Sequence, residues 1–309
     1  MGIHPFTAIF QDAASEIASS NFVTSLDNAY SVIAGIGVVF VILVGAPHFI
    51  TLLRTKNSEE ISLASFWIFF SSLVAFCWLG TMTRNLELVI AEFLAVMVFG
   101  AQMFLIVRYR KVSRLSMPKK YISYSIIVLY VAINVMFMGL TGGKIFGPVS
   151  TPLPIVASVP PNSVVSISSD EAASLNNLAL FPNVLAPVLL LTSFIPQTII
   201  GIRKKNLPAQ PYTYIFIVVI YNGLWTIAWA IQIAKFQYII DQLNAANTIA
   251  AIPGIKEVIQ GNSQNLGIYS FQFILQFLSF AFCVAQLAYW HLQHKELIRK
   301  TGKKHYIWY

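Results

Sequence analysis

Charge is scarce in this 309-residue chain: Asp, Glu, Lys and Arg together make up 10% of it, against about a quarter in soluble domains. So few ions cannot cover a water-facing surface, which excludes an ordinary globular enzyme. Cysteine is rarer still. Cys77 and Cys283 are the two present, both inside apolar stretches, so there is neither a disulfide framework nor metal-ligand spacing. They read as small packing residues. No Lys or Arg precedes Arg54, so the N-terminus lacks the positive region of a cleaved signal peptide, and the first span is expected to persist. Acidic residues number 12 against 20 basic ones, a net charge of +8. Because the basic residues form short clusters between apolar stretches, membrane topology accounts for them and nucleic acid is set aside.

What is abundant is hydrocarbon: 57% of the residues are hydrophobic, with a mean hydropathy of +0.69. A bilayer core of about 30 Å takes roughly 20 apolar residues per helix. Uncharged stretches at 28–53, 61–83, 93–107, 121–143, 172–202, 206–234 and 258–294 predict seven spans. The third is too short unaided. It reaches spanning length only by starting near Leu88 and taking Glu92 inside, and a carboxylate in hydrocarbon normally faces a bundle interior or a watery cavity.

Loop charges set the orientation. The loops after the first, third and fifth spans, together with the tail, hold sixteen of the twenty Lys and Arg residues; Arg84, Lys144, Lys235 and Lys256 lie opposite. The N-terminus is therefore expected outside and the C-terminus in the cytoplasm, which requires an odd number of spans. Residues 5–19 place Phe6, Ile9, Phe10, Ala13 and Ile17 at helical spacing, predicting an interfacial helix or else a loose terminus. The Pro- and Ser-rich segment 142–175 reads as an irregular outer loop. Residues 237–265 form a second outer connection, partly helical and lying on the membrane.

The chain repeats itself. GAPHFITLLRTKNSEEIS at the end of the first span aligns with SFIPQTIIGIRKK at the end of the fifth, placing Pro47 on Pro196, Arg54 on Arg203 and Lys56 on Lys205. GAQMFLIVRYRK in the third aligns with VAQLAYWHLQHK in the seventh, pairing Gln102 with Gln286 and Glu92 with Gln276. The expected fold is an all-α membrane protein of seven transmembrane helices, two parallel three-helix-bundle repeats joined by a linker helix. Its parts are a non-cytoplasmic N-terminal segment (1–29), a first unit (30–110), the linker (111–143), a non-cytoplasmic loop (144–175), a second unit (176–295) and a basic cytoplasmic tail (296–309). Parallel repeats about the membrane normal are a transporter architecture with the site at the midplane between them, which a channel or receptor could share.

The SFIPQTIIGIRKK stretch and its degenerate copy resemble the proline-glutamine motif of the PQ-loop family, which includes cystinosin-like amino-acid exporters and the SWEET and SemiSWEET sugar transporters. The resemblance spans roughly residues 30 to 295. It implies alternating access, with Pro47 and Pro196 hinging the first helix of each unit. His48 stands where the family motif has Gln, opposite Gln197 in the second copy. Spans 2 and 6 lack the prolines of plant-type sugar carriers, so the likeness is to the broader family.

The resemblance places the substrate pocket at the middle of each unit's third helix, where Glu92 and Gln276 would present an acid and an amide at equivalent depth. Glu92 would also suit proton coupling; its ordinary alternative is snorkelling or pairing with Arg84. Asn222, Trp225, Trp229 and Trp78 suit a pocket that stacks an aromatic face on a solute and bonds its polar edge, although Trp is common at membrane interfaces. Gln272 and Gln276, four residues apart, are expected to face the interior. His48 reads either as a pH-responsive gate or as a drifted Gln. His291 and His294 have no acidic or Cys companion for a metal, and no cofactor is implied.

The expected function is alternating-access transport of a small polar organic solute, amino acid slightly ahead of sugar, with protons as a further partner. The protein would sit in the bilayer as a monomer or homo-oligomer. The competing class is a seven-helix receptor or sorting protein of the same architecture, which needs cationic residues in its cavity that these spans lack. An embedded enzyme would need paired acids or a Ser/His pair at membrane depth, and none is present.

Overall fold

The computed structural model describes Ile17 and residues 20–59, 61–83, 86–145, 169–204, 212–249 and 255–302. The expected interfacial helix over 5–19, the core of the outer loop and the end of the tail lie outside the described residues, Ile17 apart. Among the described residues the chain forms helices and no strand: α1 (Asn21–Val44), α2 (Ala46–Thr55), α3 (Leu63–Thr83), α4 (Leu86–Tyr109), α5 (Met117–Ile145), α6 (Ser169–Lys204), α7 (Tyr212–Ile249) and α8 (Ile255–Thr301).

Among the described residues six helical runs are long and apolar enough to cross a bilayer: Asn21–Thr55, Leu63–Thr81, Leu88–Tyr109, Phe181–Arg203, Tyr212–Ala245 and Ile259–Lys300. This is an integral multi-pass α-helical membrane protein. Helices such as α3 are apolar around their whole circumference, as expected where one face meets lipid and the other a packed interior. α5 runs for 29 residues, its Val128, Leu129, Val135 and Met136 exposed at the periphery.

The first span carries a break that the fifth does not. α1 stops at Val44, Gly45 keeps right-handed helical dihedrals (φ −74°, ψ −26°), and α2 restarts with Pro47 in its first turn. Proline has no N–H to give and crowds the carbonyl four residues back. A Cβ on Gly45 would lie 2.7 Å from Val98 Cγ1 of α4, so glycine lets the break sit tight against the neighbouring helix. In α6, Pro182, Pro187 and Pro196 all lie inside one continuous helix of 36 residues.

The second outer connection differs from expectation. α7 runs unbroken to Ile249 and α8 begins at Ile255, with lengths of 38 and 47 residues. At about 1.5 Å per residue both far exceed the hydrocarbon thickness. Residues 237–265 therefore mostly extend the spans as a helical hairpin instead of lying on the membrane. Apolar residues on the facing sides, Ile240 and Leu243, are buried, and that packing sustains helix beyond the lipid. The outer loop shortens likewise: α5 persists to Ile145 and α6 starts at Ser169.

Helix neighbours follow one pattern twice. α4 packs on both α1–α2 and α3, while α8 packs on both α6 and α7. Among the described residues, the first and second helices of each trio share at most marginal contact. Across the trios, α3 packs on α6 and α1 packs on α7. α5 attaches to α4 and α3, with Tyr130 within 3.3 Å of Ser71 Oγ.

The α2–α3 loop, the end of α4 and the start of α5 are strapped together. Ser58 donates to the Ile106 carbonyl at 2.8 Å, Arg110 donates to the Glu59 and Ile61 carbonyls, and Glu59 Oε1 accepts from the Lys111 amide at 2.9 Å. Lys120 caps the end of α4 by donating to the Arg108 and Arg110 carbonyls. Each bond satisfies a carbonyl or amide that a loop at the membrane edge would otherwise leave unpaired.

Candidate functional site

Polar side chains inside a hydrophobic bundle are costly unless partnered, so their positions mark where the bundle is not ordinary core. Asn222, in the first third of α7, is fully buried. Its Oδ1 accepts from Gln276 Nε2 of α8 at 2.8 Å, and its Nδ2 donates to the Val218 carbonyl at 2.8 Å and points at Cys283 Sγ, 3.8 Å away. One turn earlier on α8, Gln272 Nε2 donates to Asn183 Oδ1 of α6 at 2.7 Å. The two glutamines four residues apart thus bond different helices from one face of α8, as helical spacing dictates.

Glu92 is 1% exposed. It lies on the interior face of α4, within electrostatic range of Cys77 on α3 and Tyr221 on α7. Its Oε2 has no hydrogen-bond partner. α4 and α8 are not extensive neighbours among the described residues; Gln276 bonds Asn222 of α7, and Glu92 lies within electrostatic range of the adjoining Tyr221. Arg84, the alternative partner for Glu92, lies outside the described residues.

Trp225 and Trp229 are both buried and stack along α7 with ring centroids 5.6 Å apart; Trp229 continues onto Tyr269 of α8 at 5.8 Å. Trp225 Nε1 is buried without a partner, close to Gly37 of α1. Asn222, Trp225 and Trp229 thus share α7, with Gln276 bonded to Asn222, Glu92 within electrostatic range of Tyr221, and Gln272 bonded from the same face of α8 to α6. Trp78 is half-buried and faces Phe181 of α6 at 6.5 Å.

The residues after Pro47 and Pro196 make different contacts. Gln197, just after Pro196, reaches from α6 to the start of α3: its Oε1 accepts from the Ser62 amide and its own amide donates to Ser65 Oγ at 2.9 Å. His48, just after Pro47, reaches toward the start of α7, where its ring meets Tyr214 edge-on at 4.2 Å and Phe66 at 5.3 Å. Its Nε2 has no partner. A narrow recess, with about 350 Å³ of empty space counting its mouth, lies beside Gln197 between Ser65, Ser193, Tyr214 and Gln286, and is faced by Phe66, Phe69 and Phe194.

Sequence reasoning passed over Asn183, Tyr221, Ser65 and Tyr214. Asn183 follows Pro182 in the otherwise apolar stretch from Phe181 to Leu191, and Tyr221 adjoins Asn222, so both left a signal. The repeat alignment itself pairs Ser65 with Tyr214, the two residues that the motif positions touch. Among the described residues no group of His, Cys, Asp or Glu could hold a metal. Compared with known proteins, the chain matches no protein-family model, and no curated protein or solved structure is significantly similar to it.

Proposed function

We propose that this protein is an alternating-access transporter of a small polar organic solute, built as seven membrane helices in two parallel three-helix units with α5 as the linker. The reading rests on the interchangeable neighbour pattern. Exchanging α1–α2, α3 and α4 for α6, α7 and α8 leaves every main helix contact in place, as a two-fold axis along the membrane normal requires. The proline-bearing first helices, Gln197 and His48 at the inner end and a buried polar cluster along α7 are the parts that a PQ-loop-type carrier needs. Orientation follows the loop charges, N-terminus outside and C-terminus cytoplasmic.

In this mechanism the units rock about the Gly45–Pro47 break and about Pro196, where the missing proline N–H permits bending. The Gln197 and His48 contacts hold the inner ends together in one state and part in the other. The Asp27–Lys235 ion pair between α1 and α7, 2.6 Å long, does the same at the outer end. Glu92, the carboxylate at the centre, takes up and releases a proton as the cavity is exposed to either side, which couples movement of solute to a proton gradient.

The test is uptake by proteoliposomes containing the purified protein, with and without an imposed pH gradient. Solute accumulation that the gradient accelerates, and that Glu92→Gln makes insensitive to the gradient while folding is retained, is the expected result. Uptake by the variant that still follows the gradient would eliminate Glu92 as the coupling group, and no uptake of any amino acid, sugar or amine would eliminate transport.

A further inference from the structure

The polar groups around α7 are not evenly satisfied, and what is left over has a chemical character. Asn222 spends both its amide atoms inside the protein, and Gln276 and Gln272 spend their N–H groups on Asn222 and Asn183. Beside the Asn222 and Trp225 stretch of α7 the groups with nothing to bond are the acceptors Glu92 Oε2 and Gln272 Oε1 and the donor Trp225 Nε1, while Thr81 Oγ1, His48 Nε2 and both side-chain amide atoms of Gln102 are unpaired elsewhere in the bundle. Buried groups in this state cost about 1–3 kcal/mol each. A ligand that repays them must bring N–H donors to the oxygens.

Charge points the same way. Glu92 is the one carboxylate among the described residues in the middle of the spans. Among the described residues Lys120 is the one buried cation, and it is committed to carbonyls at the end of α4, while Lys235 is paired with Asp27. Opposite unit charges 4 Å apart attract by about 4 kcal/mol at an effective dielectric of 20, and like charges repel as much. A cation therefore gains beside Glu92, and among the described residues no uncommitted buried cation is present to receive a carboxylate or phosphate. The aromatic column Trp225, Trp229 and Tyr269 adds negative π faces that favour the same sign.

We propose that the solute is a small organic amine, positively charged at neutral pH and carrying no carboxylate or phosphate group. Its ammonium group is held by Glu92 and amide oxygen, and its apolar part lies against the Trp225–Trp229 face. This rests on the transport reading and narrows it away from amino acids and sugars. The recess beside Gln197 is consistent with it, since its lining is hydroxyl, amide and aromatic with no fixed charge.

The experiment is equilibrium binding and thermal shift on the detergent-purified full chain, with butylamine, putrescine, lysine, alanine and glucose as probes, followed by uptake of the same labelled probes into proteoliposomes. Butylamine or putrescine should bind more tightly than the two amino acids and glucose by about tenfold or more. Glu92→Gln should weaken amine binding by at least about tenfold, while Glu92→Asp, which keeps the charge, restores most of it. Equal or tighter binding of alanine, lysine or glucose, amine binding indifferent to Glu92→Gln, or no amine binding at all overturns the proposal. Amines that bind without uptake would uphold the ligand class and defeat transport. Uptake of sugars or amino acids without amines would uphold transport and defeat the ligand class.

Discussion

Gln197 completes the N-terminal cap of a helix to which it does not belong. Ser62 is the N-cap of α3, its Oγ accepting from the Ser65 amide at 3.3 Å. In a capping box the third residue of the helix reaches back to the N-cap amide. Here that residue is Ser65, too short to do so, and Gln197 of α6 supplies the missing acceptor while its backbone N–H donates to Ser65 Oγ. The inner end of one unit is thus stabilised by the other, and separating them costs a helix cap.

Gln197→Ala should accordingly lower stability by about 0.5–2 kcal/mol, the usual worth of an N-cap. The loss should shrink in a Ser65→Gln background, where the helix can close its own box. Thermal unfolding of the four proteins of this cycle measures the coupling. Additive losses would mean that Gln197 does not serve α3.

Asn222 and Gln276 form the bond most enclosed by the bundle. Asn222→Ala should cost about 1–3 kcal/mol, because it strands Gln276 Nε2 in an apolar interior. Pairing it with Gln276→Leu should recover part of the loss, since removing both partners leaves no unsatisfied group. Melting temperatures in detergent read this directly. A double variant no more stable than Asn222→Ala would count against the bond.

Gly45→Ala tests the close approach at the helix break. The new methyl would lie 2.7 Å from Val98 Cγ1, 3.3 Å from Gln102 Oε1 and 3.4 Å from the Phe99 ring. Valine is stiff about χ1, so the neighbours cannot simply swing aside, and a loss of about 1–3 kcal/mol is expected from overpacking. Gly35→Ala in the same span meets nothing within 4 Å and should leave the melting temperature nearly unchanged. Equal effects of the two substitutions would refute a packing role for Gly45.

Glu59, in the loop before α3, gives a pH signature. The Lys111 amide hydrogen bond, followed by the charges of Arg110, Lys111 and Arg114, holds its carboxyl below the usual carboxylate range against the opposing effect of burial. A carboxyl depressed in the folded state contributes stability above its unfolded pKa, about 4, and loses it as pH falls through the folded value. The stability gap between the wild type and Glu59→Gln should therefore be present at neutral pH and close on acidification. A gap that is constant with pH would show that the ionised form plays no part.

Much of this arrangement was legible in the chain alone. The long uncharged stretches and the lack of ions dictate membrane helices, because continuous apolar runs of about 20 residues fit a helix, which makes its backbone hydrogen bonds within the segment, and not the short alternating strands of a barrel. Proline and glycine near position 45, and the need to take Glu92 into the third span, were equally visible, since both are local consequences of residue type. Sequence could also nominate Asn222, Gln272 and Gln276 as interior, because amides face protein rather than lipid.

Only the tertiary structure decided which of them meet. Whether Glu92 faces Gln276 or Tyr221, whether Gln197 bonds its own helix or caps α3, and whether residues 237–265 lie flat or rise as a hairpin depend on how the helices rotate and pack against one another. Periodicity fixes which side chains share a face of one helix. It carries no information about which face of another helix they will find, because that choice is made by the complementary fit of many side chains at once.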